Sequence, residues 1–136
     1  MAGWQTLPGQ TLLVPSGPSG LHLFVLVLGP VTFAGYGSTP QVAMVSATTL
    51  REGIPHDPAC VLEPGDHPFI KHRSFISYRH LRLDADPHVG KMVDSAVWSP
   101  HEPCTPELLR RIVDGVCLSK LTPREYKLLF GCFGNR

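Results

Sequence analysis

The hydrophobic and polar positions along the chain predict a series of short strands. Apolar runs over 10–15, 21–28 and 41–49 are separated by segments rich in Gly, Pro, Ser and Thr, which favour turns. The run over 21–28 (LHLFVLVL) is too continuous for a half-exposed strand, so we predict a central strand buried on both faces. A short strand at 60–62 and a last long strand over 74–83 complete the pattern.

Two helices are predicted after the strands. Thr105 and Pro106 provide an N-cap and a proline at the first helical position, and an apolar stripe at three- and four-residue spacing continues to residue 118. A second helix is predicted over 122–130, with a capping box and a terminating Gly131.

Composition agrees with one small domain. The chain has 136 residues, of which 43% are hydrophobic and 17% charged, so it can bury a single core. Thirteen glycines and fourteen prolines favour short strands and turns over a helical bundle. We predict a loose N-terminus over 1–9 and one domain over 10–136. The predicted fold is mainly β (α+β), a partly open β-barrel with C-terminal helices.

Charge and cysteine usage limit the compartment and the partners. A net charge of +1 excludes strongly electrostatic wrapping of DNA but allows a local basic site, and basic residues concentrate over 71–82. The four cysteines are widely spaced, and Cys117 lies on the apolar helix stripe, which predicts a buried thiol. The first residues lack a basic signal region, and no apolar run is long enough to span a membrane. We therefore expect a cytoplasmic protein with free thiols and no membrane partner.

Candidate chemistry is densest between residues 65 and 82. His67, His72 and His80 titrate near neutrality, and Arg79 can stabilise the negative charge that develops when a phosphodiester is cleaved. Each residue type also has a structural interpretation. Histidines in loops often bond to backbone groups, and arginines often form a solvated surface.

Two further candidates lie at strand ends. His22 follows the SGPSG turn, where it can face a cleft or be a satisfied histidine of the core. Thr49 ends the third apolar run, where its hydroxyl can hold a phosphate oxygen or bond to the backbone.

A metal site is a second possibility. Cys60, Asp66, His67 and His72 are acceptable ligands, but their spacing matches no compact zinc signature. The sequence contains no P-loop, dinucleotide fingerprint, G-x-S-x-G elbow or H-E-x-x-H motif. We therefore expect neither nucleotide-driven nor protease chemistry, and we predict no cofactor.

The order of these segments resembles the PemK/MazF-like toxin family, small ribosome-independent ribonucleases of toxin–antitoxin modules. The resemblance covers about 10–118. It includes the opening strand, the SGPSG turn before 21–27, the strand end over 45–49 and the later strand over 74–83. The chain departs from the family pattern at His22, where the family carries an arginine. It also has no counterpart of the Arg-x-Asp pair that some members use.

The resemblance implies an SH3-like β-barrel, often a homodimer, that cleaves single-stranded RNA without a metal. It also implies a cognate antitoxin protein whose acidic tail covers the RNA groove. On this interpretation the catalytic residues are His22, Thr49, His67 and Arg79. The predicted RNA-binding residues are His72, Arg73, Tyr78, His80 and Arg82.

Two other hypotheses stay open. The low net charge and the missing Arg-x-Asp pair favour a non-catalytic module that binds nucleic acid or protein on the same barrel. The cluster of Asp66, His67 and His72 would instead suit a metal-dependent hydrolase.

Overall fold

Six antiparallel strands form one curled, half-barrel sheet with the strand order β4-β5-β3-β2-β1-β6. The computed structural model describes residues 4–16 and 20–134. The strands are β1 Thr11–Pro15, β2 Leu21–Val31, β3 Gln41–Thr49, β4 Val61–Leu62, β5 Ser74–Ala85 and β6 Ser99–His101. The helices are α1 Asp86–Asp94, α2 Pro106–Leu118 and α3 Arg124–Leu129. The predicted mainly β fold with C-terminal helices is therefore confirmed.

The sheet carries a hydrophobic core on each face. On one face, alternate residues of β2, β3 and β5 pack against Leu108, Ile112 and Val116 of α2. On the other face, Leu26 and Met44 pack with Val89 of α1 and with Trp98. Because both faces are covered there, all of 23–27 in β2 is buried, as the continuous apolar run predicted.

Two strands are longer than predicted, and both contain irregular pairing. In β2, the register shifts between Leu26 and Leu28 and again between Leu28 and Val31, so the strand continues through Gly29-Pro30. Proline is tolerated there because a bulge needs no ladder hydrogen bond from every residue. In β5, Ser77 pairs with Ser46 but Arg82 pairs with Met44, so the bulged strand has extra residues between these pairs.

The predicted start of α2 and the predicted end of α3 are confirmed, but the predicted start of α3 is wrong. The Thr105 hydroxyl accepts the Leu108 N–H, as the predicted N-cap requires. The capping box predicted for α3 is wrong, because the helix begins after Pro123 without a side-chain cap and the Thr122 hydroxyl is buried without a described partner. Gly131 ends α3 as predicted, with φ of 71°.

A disulfide joins the two C-terminal helical segments. Cys117 in α2 and Cys132 after α3 are bonded, with 5.2 Å between their Cα atoms. Two predictions are therefore wrong: Cys117 is neither buried nor free. The turn after α3 carries the chain back toward α2, and sequence spacing does not reveal this approach. Cys60 and Cys104 are free thiols.

The N-terminal segment contacts both the sheet and α1. Gly9 N–H donates to the Leu26 carbonyl oxygen at 2.8 Å, and the Thr6 hydroxyl donates to the Asp86 carboxylate. Trp4 packs on the core beneath α1. Residues 4–9 are thus part of the domain, whereas residues 1–3 of the predicted loose end lie outside the described residues. No helix in the described part of the chain is long and apolar enough to cross a bilayer.

Candidate functional site

A groove of about 770 Å³, here called the first groove, opens at the end of the sheet where β2 begins and β3 ends. It lies between those strand ends, the loop before β5 and the last residue of β6. Its polar lining comprises His22, Thr48, Thr49, Arg51, Lys71, His72, Ser74 and His101. Its apolar lining comprises Leu21, Ala47, Pro68, Phe69 and Ile70.

The charge of the first groove is entirely positive. Arg51 and Lys71 contribute two permanent cations, and the three imidazoles add charge when protonated. No Asp or Glu belongs to the described lining. In a chain whose net charge is only +1, this concentration makes the groove suited to an anionic ligand.

Pairing between β3 and β5 builds one wall of the first groove. Thr49 is the register partner of Ser74, and the Leu50 N–H donates to the Arg73 carbonyl oxygen at 2.9 Å. The Ser74 hydroxyl donates to the His72 carbonyl oxygen at 2.8 Å. Thr49, predicted to be catalytic, and His72, predicted to bind RNA, therefore lie in the same groove.

His67 lies behind the groove wall rather than in it. Its side chain is 1% exposed, and its Nδ1 accepts the Phe69 N–H at 3.0 Å. Its Nε2 therefore carries the proton and donates to the Glu102 carbonyl oxygen at 2.6 Å. Burial lowers the pKa of His67, which favours this neutral form. The predicted catalytic role is corrected to a structural one, because both nitrogens are occupied and the ring is not exposed to the groove.

The His67 ring supports two side chains that do line the first groove. The ring centroids of His67 and His101 are 5.2 Å apart, and those of Phe69 and His101 are 5.8 Å apart. His101 Nδ1 accepts the Glu102 N–H at 2.8 Å, so Nε2 holds the proton of the neutral His101 ring. His67 thus joins the loop before β5 to β6 and fixes this wall.

A second groove of about 400 Å³ adjoins the first. His22 and Thr48 line both, so they form the boundary between the two grooves. The remaining lining of the second groove is Ser16, Phe24, Ser46, His80 and Arg82. Two predicted RNA-binding residues, His80 and Arg82, therefore lie together here rather than in the first groove.

Besides His67, three predicted residues lie in neither groove. Tyr78 is fully buried and donates its hydroxyl to the Ile112 carbonyl oxygen at 2.6 Å, so the predicted RNA contact is corrected to a core contact. Arg73 is exposed and pairs with Glu63 at 2.9 Å. Arg79 is exposed in the bulged part of β5 and belongs to the described lining of neither groove.

The residues considered for a metal site are not gathered into one. Over 4–16 and 20–134, no three His, Cys, Asp or Glu side chains lie close enough to hold a metal ion. Asp66 instead accepts the Glu63 N–H at 2.8 Å and contacts Arg111 at 3.4 Å. His67 has no free nitrogen for a ligand.

Several groove residues were missed as site candidates. Arg51 follows directly on the predicted strand that ends at Thr49, and this position is the signal that would have found it. Lys71 belongs to the basic segment but was given no role, and Ser74 begins the predicted last strand. His101 reaches the groove through β6, whose three residues Ser-Pro-His carry no strand signal.

Comparison with protein families, curated proteins and solved structures finds no match to this chain.

Proposed function

We propose that the protein is a metal-independent endoribonuclease that cleaves single-stranded RNA in the first groove. The observation that supports this most directly is the composition of the groove. It combines imidazoles, hydroxyls and the cations Arg51 and Lys71, with no carboxylate in the described lining. Cleavage by the RNA 2′-hydroxyl needs a proton acceptor, a proton donor and a cation near the phosphorus, and this set supplies all three.

The proposed reaction balances without any co-reactant. The 2′-oxygen forms a bond to phosphorus and loses its proton to His22. The bond from phosphorus to the 5′-oxygen breaks, and His72 gives that oxygen a proton. The products are a 2′,3′-cyclic phosphate and a 5′-hydroxyl end. Arg51 stabilises the charge on the non-bridging oxygens, and Thr49 donates a hydrogen bond to one of them.

The resemblance to the PemK/MazF-like toxins rests on the order of the sequence segments, and it remains part of the proposal. With it we propose a homodimer, a cytoplasmic location and a cognate antitoxin with an acidic segment that covers the basic groove. In a reducing cytoplasm the bond between Cys117 and Cys132 would be open. The proposed site contains neither cysteine.

The test is cleavage of a long single-stranded RNA by the purified chain in chelator, beside DNA of the same sequence. Wild-type protein should cleave the RNA and leave the DNA intact, because DNA lacks the 2′-hydroxyl. His22→Ala and His72→Ala should each lose about 10²- to 10⁴-fold in rate. His56→Ala is the matched control, since His56 is exposed, lies outside the described lining of both grooves and should retain the wild-type rate.

The outcome also separates the remaining hypotheses. Cleavage that disappears in chelator would contradict the metal-independent mechanism. RNA binding without cleavage would favour the non-catalytic binding module, which the same groove supports by charge alone. RNA that is neither bound nor cleaved would contradict both.

A further inference from the structure

The second groove is continuous with the proposed active site but lies on the opposite face of the sheet. Ala47 belongs to the core beneath α2, whereas Phe24 belongs to the core beneath α1, so the two grooves open on different faces. They meet at His22 and Thr48, near the ends of β2 and β3. A ligand that fills both must therefore pass over this end of the sheet.

The β5 bulge and a local hydrogen bond place a polar group in the second groove. Regular alternation after Tyr78 would turn His80 toward the core, but Leu81 takes the core position instead and His80 is exposed. The Ser77 hydroxyl and His80 Nδ1 are 2.7 Å apart, which fixes the imidazole over the open face.

Arg82 provides a second fixed group in the same groove. Its guanidinium carbon lies 5.7 Å from the Phe24 ring centroid and 5.5 Å from that of Trp98. Its Nε donates to Asp84 at 2.8 Å, so the side chain is held from two directions. Arginine has five N–H donors, and the bonds to Asp84 leave others for a ligand.

We propose that the second groove binds the nucleotides that flank the scissile phosphate on one side, so that the RNA strand bends over the sheet end between His22 and Thr48. This inference rests on the proposed ribonuclease function and extends it to the substrate. The planar Arg82 guanidinium can stack on a base, and His80, Ser46 and Thr48 can bond to the backbone or the base edge.

The geometry selects a single strand over a duplex. A strand that crosses from one face of the sheet to the other must turn sharply, and unpaired nucleotides can unstack to do so. The second groove also has no carboxylate in its described lining, which fits the continuous negative charge of such a strand. The enzyme should therefore prefer substrates that extend beyond the cleaved step.

The test compares a short and a long RNA that contain the same cleaved step, first mapped on a long transcript. With wild-type protein, kcat/KM should be about tenfold or more higher for the longer RNA, the effect expected of one stacked base. Arg82→Ala and His80→Ala should bring the ratio of long to short substrate toward one. Arg110→Ala removes an exposed arginine of α2 outside both grooves and should keep the wild-type ratio.

A binding measurement covers the case in which Arg82→Ala unfolds, because Arg82 also packs on aromatic rings. The affinity of wild-type protein for 2′-deoxy analogues of both lengths, measured by fluorescence anisotropy, should show the same length effect. His80→Ala is the milder variant, because His80 is exposed. Equal use of both lengths by wild type, with cleavage intact, would overturn this inference and leave the ribonuclease proposal standing. Absence of both cleavage and binding would overturn the two together.

Discussion

The Tyr78 ring occupies the space beside the Cα of Gly115 in α2. A β-carbon on Gly115 would lie 1.9 Å from the Tyr78 hydroxyl oxygen and 2.4 Å from the ring carbon that carries it. The same hydroxyl donates to the Ile112 carbonyl oxygen. Burial raises the pKa of Tyr78, so the hydroxyl retains its proton for this bond. The contact attaches the strand that flanks both grooves to the helix that covers the core.

Gly115→Ala should therefore destabilise the protein. The added methyl group meets a buried ring that cannot move aside, and overpacking of this kind costs roughly 1–3 kcal/mol or more. The measurement is the free energy of unfolding in urea. Gly90→Ala in α1 is the matched control, because its new β-carbon meets nothing within 4 Å and alanine favours a helix. Equal stability of the two variants would contradict the close packing of Tyr78.

Stability should also depend on the protonation of His67. Its pKa is lowered in the folded state by burial, so between the folded and unfolded pKa values the unfolded chain binds more protons. The free energy of unfolding should then fall as pH drops below about 6.5, the ordinary value for histidine. His67→Gln keeps a hydrogen-bond donor that does not titrate in this range.

The measurement for His67 is urea unfolding of wild type and His67→Gln at pH 7.5 and pH 5.5. Wild type should lose more stability than the variant over this interval, because the two proteins differ in ionisable groups only at His67. An identical loss in the two proteins would show that His67 is not held neutral. The groove wall that it supports should be disturbed over the same interval.

The sequence predicted β1 to β5 and the two C-terminal helices from strong local signals, but it predicted neither α1 nor β6. The continuous apolar run of β2 and the Thr105 cap of α2 are each specified by neighbouring residues, and both were confirmed. The β5 bulge was not predicted, because an inserted residue changes the alternation without changing the composition. Arg79 was given a catalytic role and Tyr78 an RNA-binding role. In the structure, Arg79 lies in the bulge outside both grooves, and Tyr78 is buried in the core.

Only part of the site was predicted, because its residues come from distant segments of the chain. His22, Thr49 and His72 were each suggested by a local cue, and the sheet end brings them into one groove. His67 was misassigned because its type is catalytic but its burial depends on contacts with Glu102, 35 residues away. Contacts between residues so far apart in the sequence cannot be predicted from the local pattern of hydrophobic and polar positions.

The disulfide between Cys117 and Cys132 should stabilise the C-terminal segment. In the chain-entropy account, closing a loop of this length contributes about 3 kcal/mol. The residues of α3 are not fully buried, so the disulfide is a main attachment of this helix. A reductant should lower the melting temperature of wild type and leave a Cys117→Ser/Cys132→Ser variant unchanged.

Thiol counting provides the control for that prediction. Oxidised native protein should present only Cys60 and Cys104 to a thiol reagent, and both should react slowly. Burial raises the pKa of Cys104 to about 11 and also raises the pKa of Cys60, so little thiolate is available at neutral pH. Four reactive thiols in protein purified under oxidising conditions would contradict the bond.

The charge of the first groove predicts a salt dependence that can be measured without catalysis. Binding of a 2′-deoxy oligonucleotide should weaken as salt rises, with a slope of log Kd against log salt near 0.7 per phosphate contact in a single strand. Arg51→Ala and Lys71→Ala should each reduce that slope by about this amount, since both side chains line the groove. Arg110→Ala changes the net charge equally but lies outside both grooves, so its slope should match wild type. If all three variants change the slope alike, the oligonucleotide responds to net charge and does not bind in the groove.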